Sequence, residues 1–422
     1  MLSVVVLCAI FLLATIYPIH MGALALAAAF VFGMWVLPGD ADARVDQIAA
    51  GFPGDLFVVL TGVTYLFAIA RNNGTIDWLV DAAMRSVRGR MSLVPWAMFF
   101  VASALSAVGA AGPATVAMVA PVGIGFALRY RIHPVAVGLM IVNGGSAGSF
   151  SPIGIFGSIT NSVVERSGLQ VSPSALFFIC MLFSVVLGAV IVALFRGSGG
   201  EQVEAAAGEV DTALPAGGAA PVRSLDRYRT LTLAGLAVLA TGALFFDFDV
   251  GFSAFVLAVL LSAIDPAAAK GAVNQIAWST VLLVCGIVTY VSLMETLGTI
   301  DYFGESVAAI GIVLVGALAI CYIGGVVSAF ASTTGILGAL LPLAVPFLER
   351  QELSALGLIA ALAISASVVD SSPFSTSGSL IVANSPPALR ELIYRRLLQW
   401  GFSMVALVPL VAWLVLVVPG WL

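Results

Sequence analysis

Ser367-Val-Val-Asp370-Ser371-Ser372-Pro373-Phe374-Ser375-Thr376-Ser377-Gly378-Ser379 places hydroxyls, a carboxylate, a proline and a glycine inside an apolar run. Residues 353–366 before it are rich in Ala, Leu and Ile. Residues 380–383 follow it, then Pro386-Pro387 and a cationic segment. In hydrocarbon there is no water to satisfy a broken backbone, so a helix break at that depth is tolerated only where it is buried in protein or lines a cavity. Residues 370–378 therefore read as the unwound middle of a discontinuous membrane helix and as half of a binding site.

The rest of the chain supports a membrane setting. It is 61% hydrophobic and 9% charged, with a mean hydropathy of +1.12. Soluble domains carry about 25% charged residues. The composition is that of an all-α polytopic membrane protein. Its 422 residues have room for about ten spans of roughly 20 residues each, plus connections. Cys8, Cys180, Cys285 and Cys321 fall in apolar segments with no metal-binding spacing, and read as small buried hydrophobes. Residues 1–17 lack a basic leader and a small-residue cleavage site, so they read as a retained first span. No long basic run suggests nucleic acid as a partner. The lipid bilayer is the partner that composition implies.

Residues 2–17 and 21–37 are two spans, with His20 between them at a membrane edge. An acidic connection with Asp40, Asp42, Asp46 and Asp55 leads to a third span, residues 56–70. Residues 75–87 suit an interfacial helix. Two apolar arms follow within residues 91–129, joined by Gly109-Ala-Ala-Gly-Pro113, and read as a helical hairpin. The stretch 134–162 is a span broken at Asn143-Gly-Gly-Ser-Ala-Gly-Ser-Phe-Ser-Pro152. Residues 173–195 form a clean span. Residues 197–228, rich in Gly, Ala, Pro and Glu, read as a flexible linker.

The second half then repeats the first. Gly74-Thr-Ile-Asp-Trp78 recurs as Gly298-Thr-Ile-Asp-Tyr302, and Thr64-Tyr65 recurs as Thr289-Tyr290. The hairpin recurs as residues 310–348 around Ala331-Ser-Thr-Thr-Gly335, and the broken span as residues 353–385. Pro121 aligns with Pro342, and at the same offset Ser151-Pro152 aligns with Ser372-Pro373. The collinear order of these matches implies an internal duplication, residues 1–196 and 229–422.

If the hairpins are re-entrant, each repeat crosses the membrane five times, one crossing being discontinuous, and the second copy is inverted. On that topology one face collects fourteen of the seventeen Lys and Arg, leaving only Arg44, Arg166 and Arg350 opposite. The positive-inside rule makes the rich face cytoplasmic. Both termini then face the outside of an inner (plasma) membrane, and the linker is cytoplasmic. Inverted repeats with broken helices are a transporter pattern, with sites near the midplane where half-helix N-termini meet anions and freed carbonyls meet cations.

These residues are similar to the MatC-type dicarboxylate carriers, named for a malonate carrier and related in fold to the divalent-anion/sodium symporters. The resemblance spans essentially the whole chain on short motifs. The wider group carries Ser-Asn-Thr at both hairpin tips and Thr-Pro or Ser-Pro in the broken helices. The second tip here, Ser332-Thr333-Thr334, is a near match, and Ser151-Pro152 and Ser372-Pro373 fit the breaks. The first tip departs from the pattern. It reads Ala111-Gly112-Pro113, with Thr115 just inside the arm, leaving backbone groups for contact. The resemblance implies a small dicarboxylate of the malonate or succinate class bound by Gly112, Thr115, Ser151, Pro152, Ser332, Thr333, Thr334, Ser372 and Pro373. It implies sodium alongside as coupling ion, for which Gly109, Ala111, Asn143, Ser149, Ser332, Asp370 and Ser371 are the candidate ligands. It also implies a homodimer, and secondary active transport rather than enzyme catalysis.

The chemistry is consistent with this. All seventeen Lys and Arg map near a membrane edge, so hydroxyls, helix N-termini and bound cations must neutralise a dianion. Asp370 aligns with Ser149 and so has no counterpart in the first half. It is a candidate sodium ligand or proton carrier, set slightly off the anion, with a cap on the second half-helix or a place in the outer vestibule as the structural alternative. Sodium or protons remain open as the driving ion. An inorganic-anion carrier or a sodium/proton antiporter on the same fold is the alternative function. An intramembrane protease is a distant one, since only Asp370 lies clearly at depth and both His residues sit at edges.

Overall fold

The structure is a computed structural model that describes residues 2–86, 91–195, 225–246, 248–299, 313–329, 333–349 and 353–420. Among the described residues the regular structure is helical, with no strand. The first half comprises α1 (Leu2–Ile16), α2 (Met21–Val36), α3 (Ala41–Ala50), α4 (Gly54–Asn72), α5 (Thr75–Ser86), α6 (Val94–Ala107), α7 (Gly112–Arg129), α8 (Pro134–Ser149), α9 (Ile155–Arg166) and α10 (Pro173–Leu194). The second comprises α11 (Arg227–Phe245), α12 (Val250–Ile264), α13 (Trp278–Thr296), α14 (Val313–Ser328), α15 (Thr333–Glu349), α16 (Ala355–Val368), α17 (Thr376–Ala383) and α18 (Pro387–Ala412). Among the described residues five stretches are long and apolar enough to cross a membrane: Gly54–Asn72, Pro173–Leu194, Trp278–Thr296, Ala355–Ala383 and Pro387–Val417.

Local sequence explains where many helices start. Pro stands in the first turn of α6, α7, α8, α10 and α18, where its missing N–H costs nothing. Asp40, Ser172, Asp226, Asp249, Ser354 and Ser375 cap α3, α10, α11, α12, α16 and α17 through their side-chain oxygens. Large apolar side chains such as Val5, Val31, Leu182 and Val256 point out of the molecule from α1, α2, α10 and α12. In lipid that surface is a contact face. Every residue of α8 is buried, and α16 is buried over nearly its whole length, so both are central helices.

One group of helices packs through glycines. A methyl on Gly286 of α13 would stand 2.1 Å from the carbonyl oxygen of Gly22 in α2. One on Gly62 of α4 would stand 2.6 Å from that of Gly251 in α12. Gly33, near the end of α2, lies level with Leu293 of α13, so α2 and α13 run in the same direction. Gly51, just before α4, lies against Ser292, so α4 starts where α2 ends. Asn72, at the end of α4, donates its amide to Ala268 O at 2.8 Å, just beyond α12, so α4 and α12 also run together. The second group surrounds α8 and α16. Gly144 and Gly148 of α8 press against the Phe99 and Ser103 carbonyls of α6. The Asn143 amide of α8 donates to Ser184 O of α10 at 2.8 Å.

The glycines that open the two Gly-Thr-Ile-Asp motifs share a backbone conformation. Gly74 (φ 76) and Gly298 (φ 63) are both left-handed, a region glycine enters without strain. Thr64 and Thr289 each donate to the carbonyl four residues earlier, Leu60 and Cys285, at 2.7 Å.

Some boundaries differ from the sequence reading. The acidic connection contains α3, because Asp40 accepts from Ala43 N and starts a helix with no buried face. Helix α11 begins at Arg227, inside the expected linker, where Asp226 supplies the cap. Helix α9 runs to Arg166, past the expected end at residue 162. Cys8 is exposed on α1, whereas Cys180, Cys285 and Cys321 are buried. Linker residues 197–224, the stretch 300–312 and the tip residues Ala331 and Ser332 lie outside the described residues.

Candidate functional site

Both breaks have the same local construction. In the first, α8 ends at Ser149 and α9 begins at Ile155. In the second, α16 ends at Val368, a single 3-10 turn covers Val369–Ser371, and α17 begins at Thr376. In each, the glycine six residues after the Ser of Ser-Pro packs onto that Ser. A methyl on Gly157 would stand 2.0 Å from Ser151 O, and one on Gly378 would stand 2.0 Å from Ser372 O. The chain can turn back that tightly only without a Cβ.

The hairpin tips are also alike. Ser106 and Thr115 place their hydroxyl oxygens 3.0 Å apart across the arms α6 and α7. Ser328 and Thr333 do so at 2.9 Å across α14 and α15. Each tip is tied to its break. Ser151 Oγ donates to Ala107 O at 2.6 Å, and Ser328 Oγ donates to Ala366 O at 2.7 Å.

Tips and breaks from both halves line one cavity of about 410 Å³. Its polar wall includes Ser146, Ser149, Thr333, Thr334, Thr376 and Ser377, and its apolar wall includes Val116, Val142, Phe156 and Leu283. Five helices start at this wall: α7 at Gly112, α9 at Ile155, α13 at Trp278, α15 at Thr333 and α17 at Thr376. The first N–H groups of a helix have no acceptor within it and carry the positive end of its dipole. The N-caps of α7, α9 and α13 are Ala111, Gly154 and Ala277, none of which gives a side-chain cap. Pro113 has no N–H and Trp278 N–H donates to Ile276 O at 2.7 Å, which leaves the N–H groups of Gly112, Ile155, Ser279 and Thr280 for a ligand. Among the described residues that line the cavity there is no Lys or Arg, and Asp370 is the one carboxylate.

Asp370 is 9% exposed. Ser377 Oγ donates to its Oδ2 at 2.6 Å across the break, and Ser375 Oγ donates to its main-chain carbonyl. No group of three His, Cys, Asp or Glu side chains gathers among the described residues. A cation here would therefore rest on Asp370 with hydroxyl and carbonyl oxygens.

Of the residues singled out from sequence, Ala111, Gly112, Ser149, Thr333, Thr334 and Asp370 lie in the cavity wall. The other described ones lie outside it. Gly109 forms the left-handed turn of the first tip (φ 102), close against Val63. Thr115 pairs with Ser106, and Asn143 with α10. Ser151 binds Ala107, and Pro152 continues that turn. Ser371 donates to Val368 O at 2.8 Å. Ser372 accepts from Phe374 N at 3.3 Å, with Pro373 between them. Ser332 lies outside the described residues. Sequence reasoning missed Ser146, Ser377 and the start of α13, with Ala277, Ser279 and Thr280. Ser377 carried a signal, since it belongs to the same polar cluster as Asp370. The α13 start carried none, because it belongs to an unbroken span.

Residues 1–149 match the family described as the dicarboxylate carrier protein MatC N-terminus. The first third of the chain is thus similar to the N-terminal part of a dicarboxylate carrier family. The chain has the fold of a solved transporter. The Alcanivorax borkumensis YdaH transporter, whose crystal structure is described as revealing an unusual topology, superimposes with a TM-score of 0.63 at 13% identity. The match covers 93% of this chain and 96% of that one. Among curated proteins no match is found.

Proposed function

We propose that this protein carries a small dicarboxylate of the malonate and succinate class across the membrane by alternating access, driven by a cation gradient. The observation that carries the proposal is the meeting of five helix starts, three without side-chain caps, on a cavity lacking Lys and Arg. Such a site holds an anion through N–H groups and hydroxyls spread around it. Two carboxylates at opposite ends of a short chain suit N-termini that approach from both halves.

The two halves act as inverted repeats. In support, α2 runs with α13 and α4 with α12, while α4 starts where α2 ends. The second helices of the halves, α2 and α12, are then opposed. The hairpins are re-entrant, since both tips reach the same cavity as the breaks. The glycine-packed helices α2, α4, α12 and α13 form the scaffold and the homodimer contact. The hairpins and broken helices travel against them. The face rich in Lys and Arg is the cytoplasmic face of an inner membrane.

Counterflow in proteoliposomes tests the function. Vesicles loaded with unlabelled malonate or succinate should take up the labelled compound transiently. Vesicles holding Thr334→Val should need a higher concentration. Absence of counterflow with every small dicarboxylate would refute the proposal.

A further inference from the structure

We propose that Ser146 binds one carboxylate of the substrate, doing for the first half of the chain what Thr334 does for the second, and that it thereby selects dicarboxylates over monocarboxylates. The inference rests on the reading that the cargo is a dicarboxylate.

The offset that aligns Pro121 with Pro342 and Ser151 with Ser372 also aligns Pro113 with Thr334 and Ser146 with Ser367. Much of the cavity wall follows it. Ser149 and Asp370, Ile155 and Thr376, and Phe156 and Ser377 lie in the wall as matched pairs. The two tips differ. The second puts Thr334 in the wall, where the first has Pro113, with neither a hydroxyl nor an N–H. In the helices that lead into the breaks the difference is reversed. Ser146 of α8 lies in the wall. Its match in α16, Ser367, lies outside it and donates to Ile364 O of its own helix at 3.4 Å. The hydroxyl missing from the first tip is thus supplied from α8.

Ser146 has its hydrogen to give. The other polar side chains of α8 are spent, Asn143 on Ser184 O and Ser149 on Gly145 O, both at 2.8 Å. Ser146 is 7% exposed, and among the described residues its hydroxyl has no hydrogen-bond partner. A helical serine can turn back onto the carbonyl one turn earlier, as Ser149 does, and Ser146 does not. A buried hydroxyl left unpaired is costly, and the cavity is the side from which a partner can come.

A main-chain donor stands on the same side. A methyl on Gly145 would lie 3.5 Å from Ser106 Oγ and 3.9 Å from the Thr115 methyl, so this level of α8 packs on the first turn of α7. That turn opens with Gly112, where a methyl would meet nothing nearer than Ser377 Oγ at 4.0 Å. Packing does not demand glycine there, and the absent side chain leaves the Gly112 N–H open to the cavity. The Ser146 hydroxyl and the Gly112 N–H make one corner, with a donor for each oxygen of a carboxylate. Thr334, in the first turn of α15, makes the other. A dicarboxylate fills both corners at once. A monocarboxylate fills one and leaves a hydroxyl unpaired in the other.

The test compares succinate with butyrate, and malonate with propionate, which are monocarboxylates of the same chain length, on the full chain in proteoliposomes. Ser146→Ala should raise the half-saturating dicarboxylate concentration about tenfold, the loss expected when a charged group forfeits a hydrogen bond. The inhibition constant of the monocarboxylate should change by no more than about twofold, because its single charge can use the Thr334 corner instead. The melting temperature should hold. Ser367→Ala, the matched serine turned onto its own helix, should bind the dicarboxylate as the wild type does. An unmoved dicarboxylate value in S146A would overturn the inference. So would an equal loss of affinity for the monocarboxylate, a fall in melting temperature, or the same loss in S367A, each of which would make Ser146 part of the packing. In these cases wild-type counterflow would still uphold the dicarboxylate reading. If the wild type exchanges no dicarboxylate, that reading fails first and this inference with it.

Discussion

Gly22 and Gly286 meet backbone against backbone. A methyl on Gly286 would stand 2.1 Å from the Gly22 carbonyl oxygen, and one on Gly22 would stand 2.1 Å from that of Leu282. The contact has no side chain that could yield, so any larger residue must separate α2 from α13. Gly286→Val should therefore lower stability by about 1–3 kcal/mol or more. Thermal melting in detergent would show it. Gly235→Ala, whose new methyl lies 3.7 Å from the nearest atom, a Leu257 methyl, is the matched control.

Thr334 and Ser372 separate binding from structure. Thr334 lies in the cavity wall at the first turn of α15, whereas Ser372 Oγ accepts from Phe374 N and packs on Gly401. Thr334→Val should raise the half-saturating substrate concentration about tenfold, as loss of a hydrogen bond to a charged group does. Its melting temperature should hardly change. Ser372→Ala should do the reverse. Equal effects of both variants on affinity would argue against this division.

Asp55 and Arg166 join α4 to α9 through an ion pair, and Ser162 Oγ donates to the same carboxylate at 2.8 Å. The pair is well exposed, so its contribution to stability is under about 1 kcal/mol. It nevertheless links the proposed scaffold to the proposed moving part. Reversing either charge should change the uptake rate roughly two- to fivefold, the size that such an energy allows. Exchanging both, Asp55→Arg with Arg166→Asp, should restore it. A double variant no better than the single ones would refute the linkage.

His133 caps α8 in the α7–α8 connection. Its ring accepts from Val135 N and lies 4.9 Å from the Phe195 ring. Burial, with the nearby Arg396 charge, pushes its pKa down to about 4. The folded state thus favours the neutral ring. The stability this gives is complete above the unfolded pKa of about 6.5 and is lost as pH falls towards 4. Acidification from pH 7 to 5 should cost about 2 kcal/mol through this group. His133→Asn, which keeps an acceptor at the cap, should flatten that part of the stability profile. Chemical denaturation at a series of pH values would measure it.

The breaks and tips were legible in the sequence because proline, glycine and clustered hydroxyls cannot hide in a membrane helix. Gly74 and Gly298, at matched positions of the expected repeat, both take the left-handed conformation. The roles of individual hydroxyls were less legible. Ser151, Ser371 and Thr115 stand at the expected positions, yet each spends its hydrogen bond within the protein. A hydroxyl beside a broken backbone has a local acceptor within reach as well as a ligand, and spacing alone does not choose between them.

By itself, the sequence determined a membrane protein with two discontinuous helices and a single carboxylate at depth. Composition and turn chemistry act over a few residues and need no partner to be read. Only the tertiary structure decided that Ala277, Ser279 and Thr280, at the start of an unbroken helix, share a wall with Asp370 and Thr334. That wall depends on which helices approach closely. The approach is set by glycine contacts between segments far apart in the chain, such as Gly22 with Gly286.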